Sequence, residues 1–252
     1  FQDISEDDVS EMCIGHLNAG LLKSHGWDEG GRKDIGVGGH DDMWFAVRDL
    51  LFGKGRWPVP EAPASIARPV EGRELPQLPE AHEGTLKLLM NVLMIEVRAE
   101  RTFRFYEDVI ATPGLFECSD ADRDLALELV DRIRTDEAIH VAYLQTVISE
   151  FRSLRIRTAG GEVVPGEELV DPLWAKMVHW HAVEVHSANR PTQEANMQAL
   201  ITTHAEAERI QDEVGCDQRA ERRVGVHVLR PETGRQAAEH AAGAGVTIVT
   251  EY

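Results

Sequence analysis

Four pairs of ligand-type side chains recur at the spacing of one helical turn: Glu96 and Glu100, Glu137 and His140, His181 and Glu184, and His204 and Glu208. Residues three or four apart on a helix share a face, so each pair would project from one side of its element. All four interrupt stripes of apolar residues. The sharpest instance is Glu137 and His140, within "RTDEAIHVAYL". Unpaired carboxylates and imidazoles cost several kcal/mol to bury. A pair of divalent cations would neutralise the carboxylates and accept neutral imidazole nitrogens.

The elements that must position these groups read as helices. The first pattern, Glu83 to Ile110, carries Leu86, Leu89, Leu93, Glu96, Glu100, Phe103, Glu107 and Ile110 on one stripe, and "TPG" at 112–114 ends it. A second begins after Ser119 and runs to Arg157 through Ala126, Val130, Ile133, Glu137, His140, Leu144, Val147 and Phe151. "TAGGEVVPGEE" then breaks the chain with turn residues suited to a small hairpin. A third pattern spans Asp171 to Asn189 with Leu173, Met177, Trp180 or His181, Glu184 and Ala188, and Pro191 ends or restarts it. The fourth, Thr192 to Val214, carries Met197, Leu200 or Ile201, His204, Glu208 and Gln211, and Gly215 closes it.

These patterns predict a mainly α fold with a four-helix metal-binding bundle over residues 83–215. Residues 1–57 read as a helical and glycine-rich segment, 58–82 as a proline-rich connection, and 216–252 as a small strand–helix–strand appendage. "GVGG" follows no strand and lacks dinucleotide-fingerprint spacing, so it reads as a loop, a flap over a site. His16, His25, His40 and the Asp41–Asp42 pair fall outside the bundle and read as polar residues of loops and helix ends.

The bundle pattern resembles the ferritin-like di-iron carboxylate proteins, which take one Glu from each of two helices and a Glu-x-x-His from each of the other two. Glu100 or Glu96 matches the first-helix Glu, "EAIH" (Glu137, His140) matches the Glu-x-x-His, and Glu184 matches the third-helix Glu. The fourth helix departs from the pattern: "HAEAERIQ" is similar to the arylamine N-oxygenase branch, with Gln211 standing where a final His would be. The resemblance implies two iron ions, or iron with manganese, held by Glu100, Glu137, His140, Glu184, His204 and Glu208, with Glu96 and His181 as alternative ligands. His204 or His181 would serve the second ion. It further implies O2 activation to oxidise or oxygenate a small organic substrate, with an electron-donor protein and a homodimer as the partners to test. Two alternatives stay open: a ferroxidase or rubrerythrin-like protein, and a metal-free acidic helical interaction module.

Bulk properties narrow the field. The 252 residues carry a formal net charge of −18, which argues against general nucleic-acid binding and against attachment to anionic membranes. No run is apolar for long enough to span a bilayer. Cys13, Cys118 and Cys216 are scattered, without a CxxC, which fits a reducing, cytoplasmic setting. No Gly-x-Ser-x-Gly supports nucleophilic hydrolysis.

Overall fold

A computed structural model describes residues 1–56, 59, 61–62, 64–202, 207–209 and 211. The described chain is mainly helical, with one two-stranded sheet. It divides into two compact units, residues 1–186 and 187–252. The appendage expected at 216–252 lies outside the described residues.

The first unit is organised around two long helices, α3 (Glu80–Ala111) and α4 (Asp120–Ser153). Pro79 and the acids Glu80 and Glu83 start α3, and Ser119 caps α4 by accepting from the Asp122 backbone N–H. The helices run antiparallel. Arg134 on α4 bonds Glu107 at 3.0 Å and lies 3.7 Å from Glu100, while Glu96, further back along α3, meets Glu137.

Their shared face is apolar at both ends. Toward the N-terminus of α3, Leu86, Leu89, Met90 and Leu93 pack with Leu144, Val147 and Phe151 of α4. Toward its C-terminus, Phe103 and Ile110 pack with Ala126, Val130 and Ile133. Each fully buried Leu or Phe contributes about 1.5–3 kcal/mol. Between the two apolar clusters, the same stripe carries Glu96, Glu137 and His140, all buried.

Smaller elements cover this pair. The amino-terminal turns lead into α1 (Leu22–Gly30), and α2 (His40–Phe52) packs on α4. Glu150 of α4 accepts the Cys13 and Ile14 backbone N–H groups at 3.0 and 2.7 Å, which anchors the segment before α1. After α4, β1 (Arg155–Arg157) and β2 (Val163–Pro165) form the expected hairpin, with Ile156 opposite Val164 and Ser5 bridged to Ile156. Then α5 (Gly166–His179) packs on α3 and α4, followed by a wider π turn at Trp180–Glu184 and by α6 (Val185–Thr202).

Three expected boundaries move. The second helical pattern ends at Ser153 rather than Arg157, because Arg155–Arg157 leave the helix to pair as β1. The third helical pattern begins at Gly166 rather than Asp171, since Pro165 and the first-turn acids Glu167 and Glu168 start it; Pro172 lies in its second turn and leaves the Glu168 carbonyl without its helical donor. Pro191 lies inside α6 and does not end it; one absent donor removes one helical bond and leaves the flanking turns intact.

Candidate metal centre

The loop between α1 and α2 does the first piece of assembly. Gly31 has φ +73, and a Cβ there would collide with the backbone of Val37 through Gly39. A Cβ on Gly39 would strike Gly31 and the Glu29 carbonyl. These close approaches, with a bridge between Arg32 and Val37, draw the end of α1 to the start of α2. The "flap" of the sequence reading is thus a tight connection, and it sets Glu29 beside His40.

Seen along α1, His25, Asp28 and Glu29 stand three and four residues apart and share one face. That face meets the polar middle of the α3–α4 pair. His25 Nε2 lies 3.3 Å from Glu96 Oε1, and its ring stacks on His140 with centroids 3.8 Å apart. His140 Nδ1 donates to Glu137 Oε2 at 2.8 Å, and its Nε2 to Asp28 Oδ2 at 3.1 Å. His40 Nδ1 is 3.1 Å from Glu29 Oε1 and 3.2 Å from Glu137 Oε1, while Nε2 reaches Asp136 Oδ2 at 3.3 Å. Glu29 Oε1 sits among all three imidazoles, being also 3.8 Å from His25 and 3.6 Å from His140.

Ligand atoms therefore fall into two overlapping groups, each contained within 4.8 Å. His25, Glu29, Glu96 and His140 make one; Glu29, His40 and Glu137 make the other. Glu29 belongs to both. It is about half exposed, as is Asp28, whereas the other ligand side chains are buried, so the cluster opens to solvent at the end of α1.

The electrostatics show what this arrangement lacks. Burial disfavours charge on His40, but bonds to Glu137 and Glu29 outweigh it and push its pKa up to about 10. Burial likewise opposes charge on His140, and bonds to Glu137 and Asp28 raise it nonetheless. For His25, burial and the neighbouring His140 charge win, and the ring is held neutral. Burial would raise Glu137, yet bonds from His140, His40 and Glu96 hold it well below the usual carboxylate range. Its neighbour Glu96 is pushed up by burial and by the Glu137 carboxylate, so Glu96 keeps the proton that the two share. Two imidazolium rings, His40 and His140, face four carboxylates, Asp28, Glu29, Asp136 and Glu137, together with the protonated Glu96. Protons on two rings and on Glu96 occupy positions where cations would fit, and the donor set of imidazole nitrogen and carboxylate oxygen suits iron, manganese or zinc.

Tyr143, one turn beyond His140, bonds its OH to His25 Nδ1 at 2.6 Å. With Nδ1–H donating to that oxygen, the Nε2 lone pair is directed at the cluster, the usual outer-shell arrangement for a ligating histidine.

The residues expected from the sequence divide. Glu137, His140 and Glu96 come together in the cluster. Glu100 does not: it is half-buried at the edge of the α3–α4 face, bonded to Arg104 at 2.8 Å and 3.7 Å from Arg134 of α4. Glu184 is exposed, 3.5 Å from His179 in the π turn. His181 is buried, but on the opposite side of α3, where Nε2–H donates to Asn91 Oδ1 at 3.1 Å. Glu208 belongs to the second unit and is exposed there; His204 lies outside the described residues. The physical reason is phase. Glu100 and Glu184 sit at the margins of their stripes, where a small rotation carries a long side chain into solvent.

His25, read as a polar residue of a loop or helix end, is instead buried within α1, and that reading is corrected; His40 stands at the first turn of α2, as read, and is buried there. "HGWDE" did carry a usable signal, since His25, Asp28 and Glu29 repeat the one-turn spacing of "EAIH". His40, after three glycines in four residues, carried none. Comparison of the chain with protein-family models, curated proteins and solved structures returns no match.

Proposed function

We propose that the α1–α4 cluster is a dinuclear metal centre that serves O2-dependent oxidation or oxygenation of a small organic substrate. The observation that carries this reading is the sharing of Glu29 between two ligand groups. His25, Glu29, Glu96 and His140 would hold one ion, and Glu29, His40 and Glu137 the other. Two redox-active ions, iron or iron with manganese, would supply the electrons that O2 requires in pairs.

The chain's own residues do the rest. Tyr143 fixes the His25 tautomer, Asp136 orients His40, and Asp28 orients His140 at the solvent opening. The protons held by His40, His140 and Glu96 would leave as cations enter, so loading is favoured as pH rises. The apolar clusters on either side keep water to the one open end.

Glu96 with the Glu-x-x-His of Glu137 and His140 supports the resemblance to ferritin-like di-iron proteins. The remaining ligands depart from it, because α1 and α2 supply them while Glu184 is exposed in the π turn. An external electron donor is the partner that repeated turnover would require.

The test is metal analysis of the purified chain, then anaerobic loading with ferrous ion and exposure to O2. Two ions per chain and an O2-dependent absorption change are expected. Absence of stoichiometric metal would sink the proposal. Glu29→Ala should lower occupancy of both positions; a variant that loads two ions like the parent would show that Glu29 is not shared.

A further inference from the structure

A second polar constellation lies on the other side of α3. Residues 65–73 of the proline-rich connection lie against α3 and Met177 of α5 as a strap, leaving a cleft of about 810 Å³. Asn91 ties the strap down by donating Nδ2–H to the Ile66 carbonyl at 3.2 Å, and the Arg73 guanidinium bonds the Leu75 and Leu78 carbonyls beyond it. Asn91 and Glu96 are five residues apart on α3, which places them about 140° apart around its axis. The cleft is thus distinct from the metal centre.

Its charge runs against that of the chain. Arg68, Arg73, Lys87 and Lys176 gather here around Glu74 and Glu83, with Glu80 at the rim. Four cations meet three carboxylates in a protein whose net charge is −18. The donors are incompletely used. Arg68 bonds Glu74 through its terminal nitrogen, while its Nε is buried without an acceptor. Lys87 spends one contact, 3.3 Å, on Glu74 and has three donors. A buried donor without an acceptor is costly to leave unmet.

The walls are apolar and open. Ile66 and Leu88 both line the cleft and are 54% and 50% exposed, with Pro69, Val70 and Met177 alongside. Apolar side chains facing a cleft with a few convergent charges are the usual composition of a small-molecule site, and the volume lies in the usual range.

We infer that this cleft binds a small organic anion, a carboxylate on an apolar body, with Arg68 and Lys87 taking the carboxylate and Ile66 and Leu88 the body. The unmet Nε of Arg68 favours a planar carboxylate met by the guanidinium edge.

The test is calorimetric titration of the full chain with 4-phenylbutyrate, after the protein has been stripped of metal and dialysed against metal-free buffer so that no ion competes for the carboxylate. One site per chain is expected, with 4-phenylbutanol binding at least about tenfold more weakly. Arg68→Gln should weaken the acid by about tenfold or more and leave the alcohol unchanged. Leu88→Glu, at an exposed helical position outside the core, should weaken the alcohol through lost apolar contact and the acid further, through repulsion. Equal affinity for acid and alcohol, acid binding unchanged in both variants, or no binding at ~10 mM acid would overturn the assignment. Inorganic phosphate binding as tightly as the acid would overturn its apolar part. Because metal is excluded throughout, failure here is distinct from failure of the metal centre.

Discussion

Two buried imidazoles lie on opposite sides of α3 and behave in opposite ways. His140, 2% exposed, is bonded through both ring nitrogens to carboxylates, and their charge overcomes burial to hold it protonated. His181, 1% exposed, has a single neutral partner, Asn91. Burial, reinforced by the charge of Arg98, depresses its pKa to about 4. Since Asn91 Nδ2 is committed to Ile66, its Oδ1 faces His181, Nε2 carries the proton, and Nδ1 is left buried without a partner. Burial is therefore no guide to function. What separates the two is the number and charge of the groups within reach: His140 belongs to a convergent set able to hold cations, and His181 to a structural contact that fastens α5 and the strap to α3.

The largest effect should come from breaking the first environment. His140→Ala is expected to lower metal affinity by more than the about 10–100-fold that loss of an outer-shell partner costs, while His181→Ala keeps the parent stoichiometry. Metal titration of the two variants side by side checks this. Equal losses would erase the distinction.

Next in size is the pH dependence that His181 confers. Its folded pKa is depressed from 6.5 to about 4, so the unfolded chain binds more protons between those values. The contribution to stability is fully present above pH 6.5 and is lost as pH falls through about 4, with a magnitude on the order of 3 kcal/mol. Urea unfolding of the metal-free chain across that range should show a flatter profile for His181→Leu than for the parent. Parallel profiles would remove the assigned environment.

The smallest effects are expected where the sequence pattern and the structure part. Glu100→Gln and Glu184→Gln remove exposed ion pairs and should change stability by no more than about 0.5 kcal/mol, with metal loading intact. A loss of loading in either variant would restore the arrangement read from the sequence.

Much of the framework was legible in the chain. The stripes of α3 and α4, the stop at "TPG", the Ser119 cap and the hairpin after α4 follow from local periodicity and turn chemistry, which act between residues close in sequence. The pairing of Glu137 with His140 is likewise local, since three residues on a helix fix their common face. Glu96 fell between two readings because one turn of ambiguity separates it from Glu100, and side-chain pattern alone does not set helix rotation to that accuracy.

Local patterning alone specified a mainly helical chain whose apolar stripes are broken by ligand-type residues at one-turn spacing. Which of those residues meet was decided by tertiary structure. His25 and Glu29 reach Glu96, Glu137 and His140 across more than 60 residues of chain, and His40 arrives through a loop whose two glycines permit backbone contact that no periodicity encodes. Ligand convergence is a property of how helices pack and turn about their axes. A sequence specifies each helix face separately, and only packing chooses which faces share a centre.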